Sequence, residues 1–230
     1  MRFLFDGKYA PLTDGMAFID APIEEVIKAF YRRVEDITFP DKNTCQQKHE
    51  GSFEELLLKT LPFKYPRKEI FFETKNKWTG FYQNIWRTQI DQAALIGKHA
   101  NAQVVGAEAW ISDHGRKVNG WGGGAFYLFK GYDLVRHLML SNQDGWEFDN
   151  FGKPFSFEDV EKYKEKFARN RFTPEMLDKY LKEFGIDFFN EDFYMPPGSN
   201  AYIIEWVRPP YNENDRSISL EEMRKEYMYE

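Results

Sequence analysis

Residues 125–142, AFYLFKGYDLVRHLMLSN, decide the fold. Two apolar and aromatic runs, 125–130 and 134–142, flank the short connection Gly131-Tyr132-Asp133. Only antiparallel strands can be joined by so few residues, so the pair reads as a hairpin. Residues 145–151 (GWEFDNF) continue the meander. Upstream, 103–111 (QVVGAEAWI) is a further strand, and Gly106 within it is expected to mark a bulge. EIFFE (69–73) and WTGFYQN (78–84) are separated by four polar residues, the spacing of a second hairpin. Residues 202–207 (YIIEWV) read as a late strand and 16–19 as an early one.

Helical spacing appears elsewhere. Ile23, Val26, Ile27, Phe30 and Val34 form one apolar face behind Pro22, and Pro is tolerated in a first helical turn. Ser52-Phe53-Glu54-Glu55 is a capping box opening a short helix with Leu56 and Leu57. A helix is expected over 91–100, and Ser219 opens another near the end. Ser156-Phe157-Glu158-Asp159 predicts a helix reaching about 167, and Thr173-Pro174 predicts one closed by Gly185. Residues 40–51 are polar without periodicity and read as a surface loop, as do the five glycines spread over 112–124. Residues 186–194 (IDFFNEDFY) are expected to pack on the sheet. No repeat and no Gly/Ser- or Pro-rich linker divides the chain. The expectation is a single α+β domain over 1–230, with a central, mainly antiparallel sheet flanked by helices from both ends of the chain.

Composition narrows function. The 230 residues are 42% hydrophobic and 18% aromatic, ample for a packed core, with a net charge of −6. Charge is uneven: residues 61–140 carry 11 basic and 6 acidic side chains, while 141–230 carry 12 and 20. No apolar run approaches the roughly 20 residues that cross a bilayer. The opening residues have an apolar stretch too short for a signal peptide, so a cytoplasmic location is expected. One cysteine, Cys45, excludes an internal disulfide.

No chemistry-bearing motif stands out. The four histidines have no metal-ligand spacing, and Glu108 near Asp113 and His114 is an ordinary polar strand end, so neither metal nor cofactor is expected. Cys45 and His49 lie in a polar stretch that offers no oxyanion donor. Gly120-Trp121-Gly122-Gly123-Gly124 lacks the Lys-Ser/Thr of a phosphate loop and precedes a strand. His137 shares a strand face with Val135 and Met139, and becomes a general base only if Glu108 or Glu147 reaches it. Basic residues near Trp78, Phe81 and Tyr82 suggest a single-strand nucleic-acid surface, but the overall negative charge argues against it.

Residues 62–84 (PFKYPRKEIFFETKNKWTGFYQN) and pieces of 142–194 (NQDGWEF, GKPFSFED, YKEKFARNRFTPEMLDKYL, EDFY) resemble a set of uncharacterised bacterial proteins. Relatives in that set often carry Asp-Gly-Gly-Arg-Trp where this chain has Asp144-Gly145-Trp146. The resemblance implies a bacterial source and a shared fold, and it transfers no site residue. More loosely, an acidic, aromatic-rich single domain is similar in composition to bacterial toxin-immunity proteins, whose acidic faces complement basic partners.

Two readings follow, with the balance against catalysis. The first is a non-catalytic protein-binding protein, of the immunity type, acting on a basic partner. It predicts an exposed face bearing Glu158, Asp159, Glu161, Asp187, Glu191 and Asp192, anchored by Phe188, Phe189, Phe193 and Tyr194. The second is a small-molecule pocket or active site lined by Trp78, Tyr82, Trp110, Trp121, His137 and Trp146, with residues 120–124 as its lid. Oligomeric state is left open.

Overall fold

The computed structural model describes residues 3–36, 43–86, 88–110, 121–142, 145–207 and 216–226. Nine strands form one antiparallel sheet: β1 Gly15–Ile19, β2 Thr44–Glu50, β3 Lys68–Glu73, β4 Thr79–Gln83, β5 Gln103–Trp110, β6 Gly123–Lys130, β7 Asp133–Asn142, β8 Trp146–Phe151 and β9 Asn200–Trp206. Their spatial order is β2-β9-β3-β4-β1-β5-β6-β7-β8. The β3–β4 and β6–β7 hairpins follow from local turns, and β5 and β8 pair antiparallel on either side of the β6–β7 hairpin. β1 between β4 and β5, and β9 between β2 and β3, are long-range insertions that no local pattern announces.

Strand alternation sends side chains to two cores. On one face Ala17, Ile19, Phe71, Phe81, Val104 and Ile204 meet helices α1 (Ile23–Asp36) and α3 (Ile90–Ala100). On the other, Met16, Phe18, Ile70, Phe72, Tyr82, Val105, Phe126 and Leu138 meet α2 (Phe53–Thr60), α4 (Pro174–Glu183), Met223 of α5 (Leu220–Glu226) and the 186–195 segment. The central strands β1 and β4 are therefore buried on both faces, while β2 and β8 at the sheet's two ends are largely exposed. The sheet is central and antiparallel as expected, and the molecule is one α+β domain by architecture.

Several local expectations change. Residues 44–50 form edge strand β2, paired in unbroken register with β9, although residues 40–42 lie outside the described residues. The polar sequence TCQQKHE suits an edge strand with an exposed face, which leaves no hydrophobic periodicity to read. Gly106 is not a bulge. It pairs regularly with Ala17 and Tyr127, and a Cβ there would come within 2.5 Å of Ile90, so glycine lets α3 approach the sheet. The register shift lies instead in β6, between Leu128 and Phe129. The helix expected after Ser156 is replaced by short 3-10 turns at Lys162–Lys164 and Ala168–Asn170, because Glu158 turns inward to pair with a buried arginine.

Caps read from sequence are present. Ser52 Oγ accepts the Glu55 N–H at 3.2 Å, and Glu55 accepts the Ser52 N–H at 3.0 Å. Ser52→Ala should lower unfolding free energy by about 1 kcal/mol, read from urea denaturation. No change would mean that tertiary packing alone holds α2.

Candidate functional site

The predicted acidic and aromatic face divides into parts with different fates. Phe188, Phe193 and Tyr194 are 2%, 2% and 3% exposed and belong to the core, so they cannot serve as exposed anchors. Burial of large aromatic area drives them inward, and the Tyr194 hydroxyl is satisfied by donating to the Phe188 carbonyl at 2.6 Å. Phe189 is half-buried, edge-on to Phe188. Glu158 is also lost to any surface: its side chain, like that of Arg136, is 0% exposed. Arg136 donates through Nε and Nη2 to Glu158 at 2.8 and 2.6 Å, and through Nη1 to Asn150 Oδ1 and the Phe151 carbonyl. Tyr163 and the Phe155 N–H complete the Glu158 shell. Asp159 and Glu161 stay exposed, with Glu161 paired to Lys164. Asp187 is half-buried, accepts from Asn190 and lies near Lys182.

Glu191 and Asp192 do converge with other carboxylates, contributed by segments distant in sequence. A groove of about 460 Å³ is lined by Phe5, Glu54, Lys75, Glu191, Asp192 and Pro196, among others. A second, of about 480 Å³, is lined by Glu50, Gly51 and residues 198–200. The two share Ser52, Met195 and Pro197 as common walls. The aromatic stack beneath runs from Phe5 to Phe53 to Tyr194, with centroid separations of 6.3 and 4.6 Å. Hydrogen bonds from Tyr9 and Lys8 hold the Glu54 carboxyl below its ordinary range, and Lys48 does the same for Glu50. Both remain charged at neutral pH. Glu54, Glu191 and Asp192 line the first groove, the last two from the Asn190-capped turn at Glu191–Phe193, and Glu50 lines the second. Glu54 is paired to Lys8 and Glu50 to Lys48.

Among the described residues, the six side chains of the predicted aromatic pocket are not brought together around one cavity. Trp78 and Tyr82 are core residues, with the Trp78 Nε1–H donating to the Phe184 carbonyl at 2.9 Å. Burial pushes the Tyr82 hydroxyl far above its ordinary value. Trp110 and Trp121 are buried against Gly123 and Gly124, whose absent side chains make room for the two indoles. Gly123 and Gly124 thus serve close packing rather than a lid; Gly120 lies outside the described residues. His137 faces the α1/α3 side and stacks on Tyr127 at 4.7 Å and 15°. Its carboxylate neighbour is Asp149 at 3.3 Å, not Glu108 or Glu147. Burial lowers the His137 pKa against the opposing pull of Asp149. Trp146, on the other face of β8, does line a cavity of about 830 Å³.

Chemistry elsewhere is sparse. Cys45 and His49 sit four residues apart along β2, about 13 Å in an extended strand, and His49 contacts Lys59 instead. Among the described residues no group of three or more His, Cys, Asp or Glu side chains could hold a metal ion; Asp113 and His114 lie outside them. Trp78, Phe81 and Tyr82 are buried, so they provide no stacking platform for bases. Among the described residues no helix is long and apolar enough to cross a membrane.

Comparison with known proteins finds no matching family model, no matching curated protein and no matching solved structure. Sequence reasoning missed Glu50 and Glu54 as partners of Glu191 and Asp192, since no spacing rule connects residues about 140 positions apart. It also missed the ion pair of Arg136, which was visible as an arginine in phase with Leu138 and Leu140 on a strand.

Proposed function

We propose that this is a non-catalytic binding protein whose acidic grooved face, rimmed by Glu50, Glu54, Glu191 and Asp192, receives a basic protein partner. The observation that carries the reading is the meeting of four carboxylates around two adjoining concavities over an aromatic floor. Charge complementarity at such a face accelerates encounter and selects against acidic competitors. A toxin neutralised by an immunity-type protein is the kind of partner that fits, in the cytoplasm of a bacterial cell. The binding face proposed here differs from the one expected from the sequence, since Asp159 and Glu161 take no part and Phe188, Phe193 and Tyr194 support it from beneath.

The test is affinity capture from the cells that make the protein, comparing wild type with the Glu50→Lys/Asp192→Lys double variant. Both positions are exposed, so the variant should match wild type in thermal unfolding midpoint. Wild type should retain a basic protein that elutes as salt rises, and the variant should lose it. Equal retention by both, or no retained protein, would sink the reading.

A further inference from the structure

A different end of the sheet carries a site of opposite chemistry. The cavity of about 830 Å³ lies between β7, β8 and the 166–171 segment, at the edge farthest from β2 in strand order. Its size falls in the range of small-ligand pockets. Three cations line it, Lys166, Arg169 and Arg171, and none forms an ion pair among the described residues. Lys166 and Arg169 both lie over the ring of Phe167, at 5.7 and 5.6 Å from its centroid. Phe167 is 56% exposed, so its ring is open to a ligand at the cavity. The Arg171 Nε donates to the Glu165 carbonyl at 2.8 Å, which fixes the direction of its guanidinium.

The β8 wall is two-sided. Strand alternation places Trp146 and Phe148 on one face and Glu147 and Asp149 on the other, and the cavity touches both, so it wraps the outer edge of β8. Asp149 is engaged by His137, while Glu147 has no ion-pair partner among the described residues. One ligand class satisfies all of these groups. Its anion meets the cations, its flat ring lies on Phe167 or Trp146, and its hydroxyl or amino donors reach Glu147.

We propose that this cavity binds a small aromatic anion with hydrogen-bond donors, the chemistry of a mononucleotide. The site lies apart from the acidic groove, so either proposal can fail alone. The experiment is isothermal titration of the full chain with adenosine 5′-monophosphate, and separately with adenosine and with inorganic phosphate. The monophosphate should bind, and each fragment should bind at least about tenfold more weakly, since ring and anion act together. Lys166→Ala/Arg169→Ala should weaken the monophosphate at least about tenfold, with the thermal midpoint held, because both side chains are exposed. No binding at millimolar monophosphate, phosphate binding as tightly as the whole, or undiminished binding by the double variant would each overturn the proposal.

Discussion

Glu158→Ala should lower the unfolding free energy by about 3–5 kcal/mol, because it strands the Arg136 guanidinium in the core without its counter-charge. The arginine cannot escape by losing its proton. Burial disfavours its charge, but the hydrogen bonds and charge of Glu158, aided by Tyr163, more than compensate and raise its pKa. It also cannot swing to solvent, since Asn150 and the Phe151 carbonyl hold its third nitrogen. Arg136→Met/Glu158→Leu removes both charges together and should cost much less than the single change. Urea denaturation of the three proteins measures the difference; a loss below about 1 kcal/mol for Glu158→Ala would show that water reaches the pair.

The same pair sets an acid limit. Burial alone would raise the Glu158 pKa, but hydrogen bonds from Arg136, Tyr163 and the Phe155 N–H outweigh it and hold the carboxyl below its ordinary value of 4.5. A carboxyl depressed in the folded state stabilises the protein fully above its unfolded pKa. That contribution is lost as pH falls below about 4.5 and through the lower folded value. Wild type should therefore lose more stability between pH 5 and 3 than Arg136→Met/Glu158→Leu, within roughly the acid range where carboxylates titrate. Equal losses would place the acid sensitivity elsewhere.

Phe72→Ala should cost a further large amount, about 3–5 kcal/mol. Phe72 is fully buried and touches the rings of Phe53, Tyr82 and Tyr194 at centroid distances of 4.9, 5.9 and 5.8 Å. Its own ring lies on the backbone of Gly80 in the neighbouring strand, so a Cβ at Gly80 would collide with it. Gly80→Ala should then destabilise by about 1–3 kcal/mol through overpacking, and the Phe72→Leu/Gly80→Ala pair should cost less than the sum of its two single changes. Strict additivity by chemical denaturation would remove the argument that these residues share one space. Because Phe53 and Tyr194 floor the acidic groove, Phe72→Ala should also weaken partner capture there.

Legibility tracked the range of the interaction. The β6–β7 and β3–β4 hairpins and helices α1, α2 and α4 were readable because turn residues, caps and apolar spacing lie within a few positions of one another. Edge strand β2 was not, because its exposed face removes the apolar alternation that marks a strand. The 156–167 segment looked like a capped helix, yet Glu158 of its apparent cap is captured by Arg136, 22 residues earlier. At the candidate site, Glu191 and Asp192 were legible as surface carboxylates, whereas neighbouring Phe188, Phe193 and Tyr194 went to the core. Hydropathy alone cannot say which aromatic residues in such a run face inward.

Sequence alone therefore determined the architecture's ingredients: antiparallel hairpins, capped amphipathic helices and enough aromatic area to cover both faces of a sheet. Each of these depends on backbone geometry and on water, which act on near neighbours in the chain. Tertiary structure decided the rest: β1 and β9 inserted between other strands, Arg136 locked to Glu158, Glu54 brought to one groove with Glu191 and Asp192 and Glu50 to the adjoining one, and three cations gathered at the far edge. Those outcomes depend on which surfaces meet when the chain collapses. Charge and shape complementarity between distant segments leaves no periodic trace along the sequence.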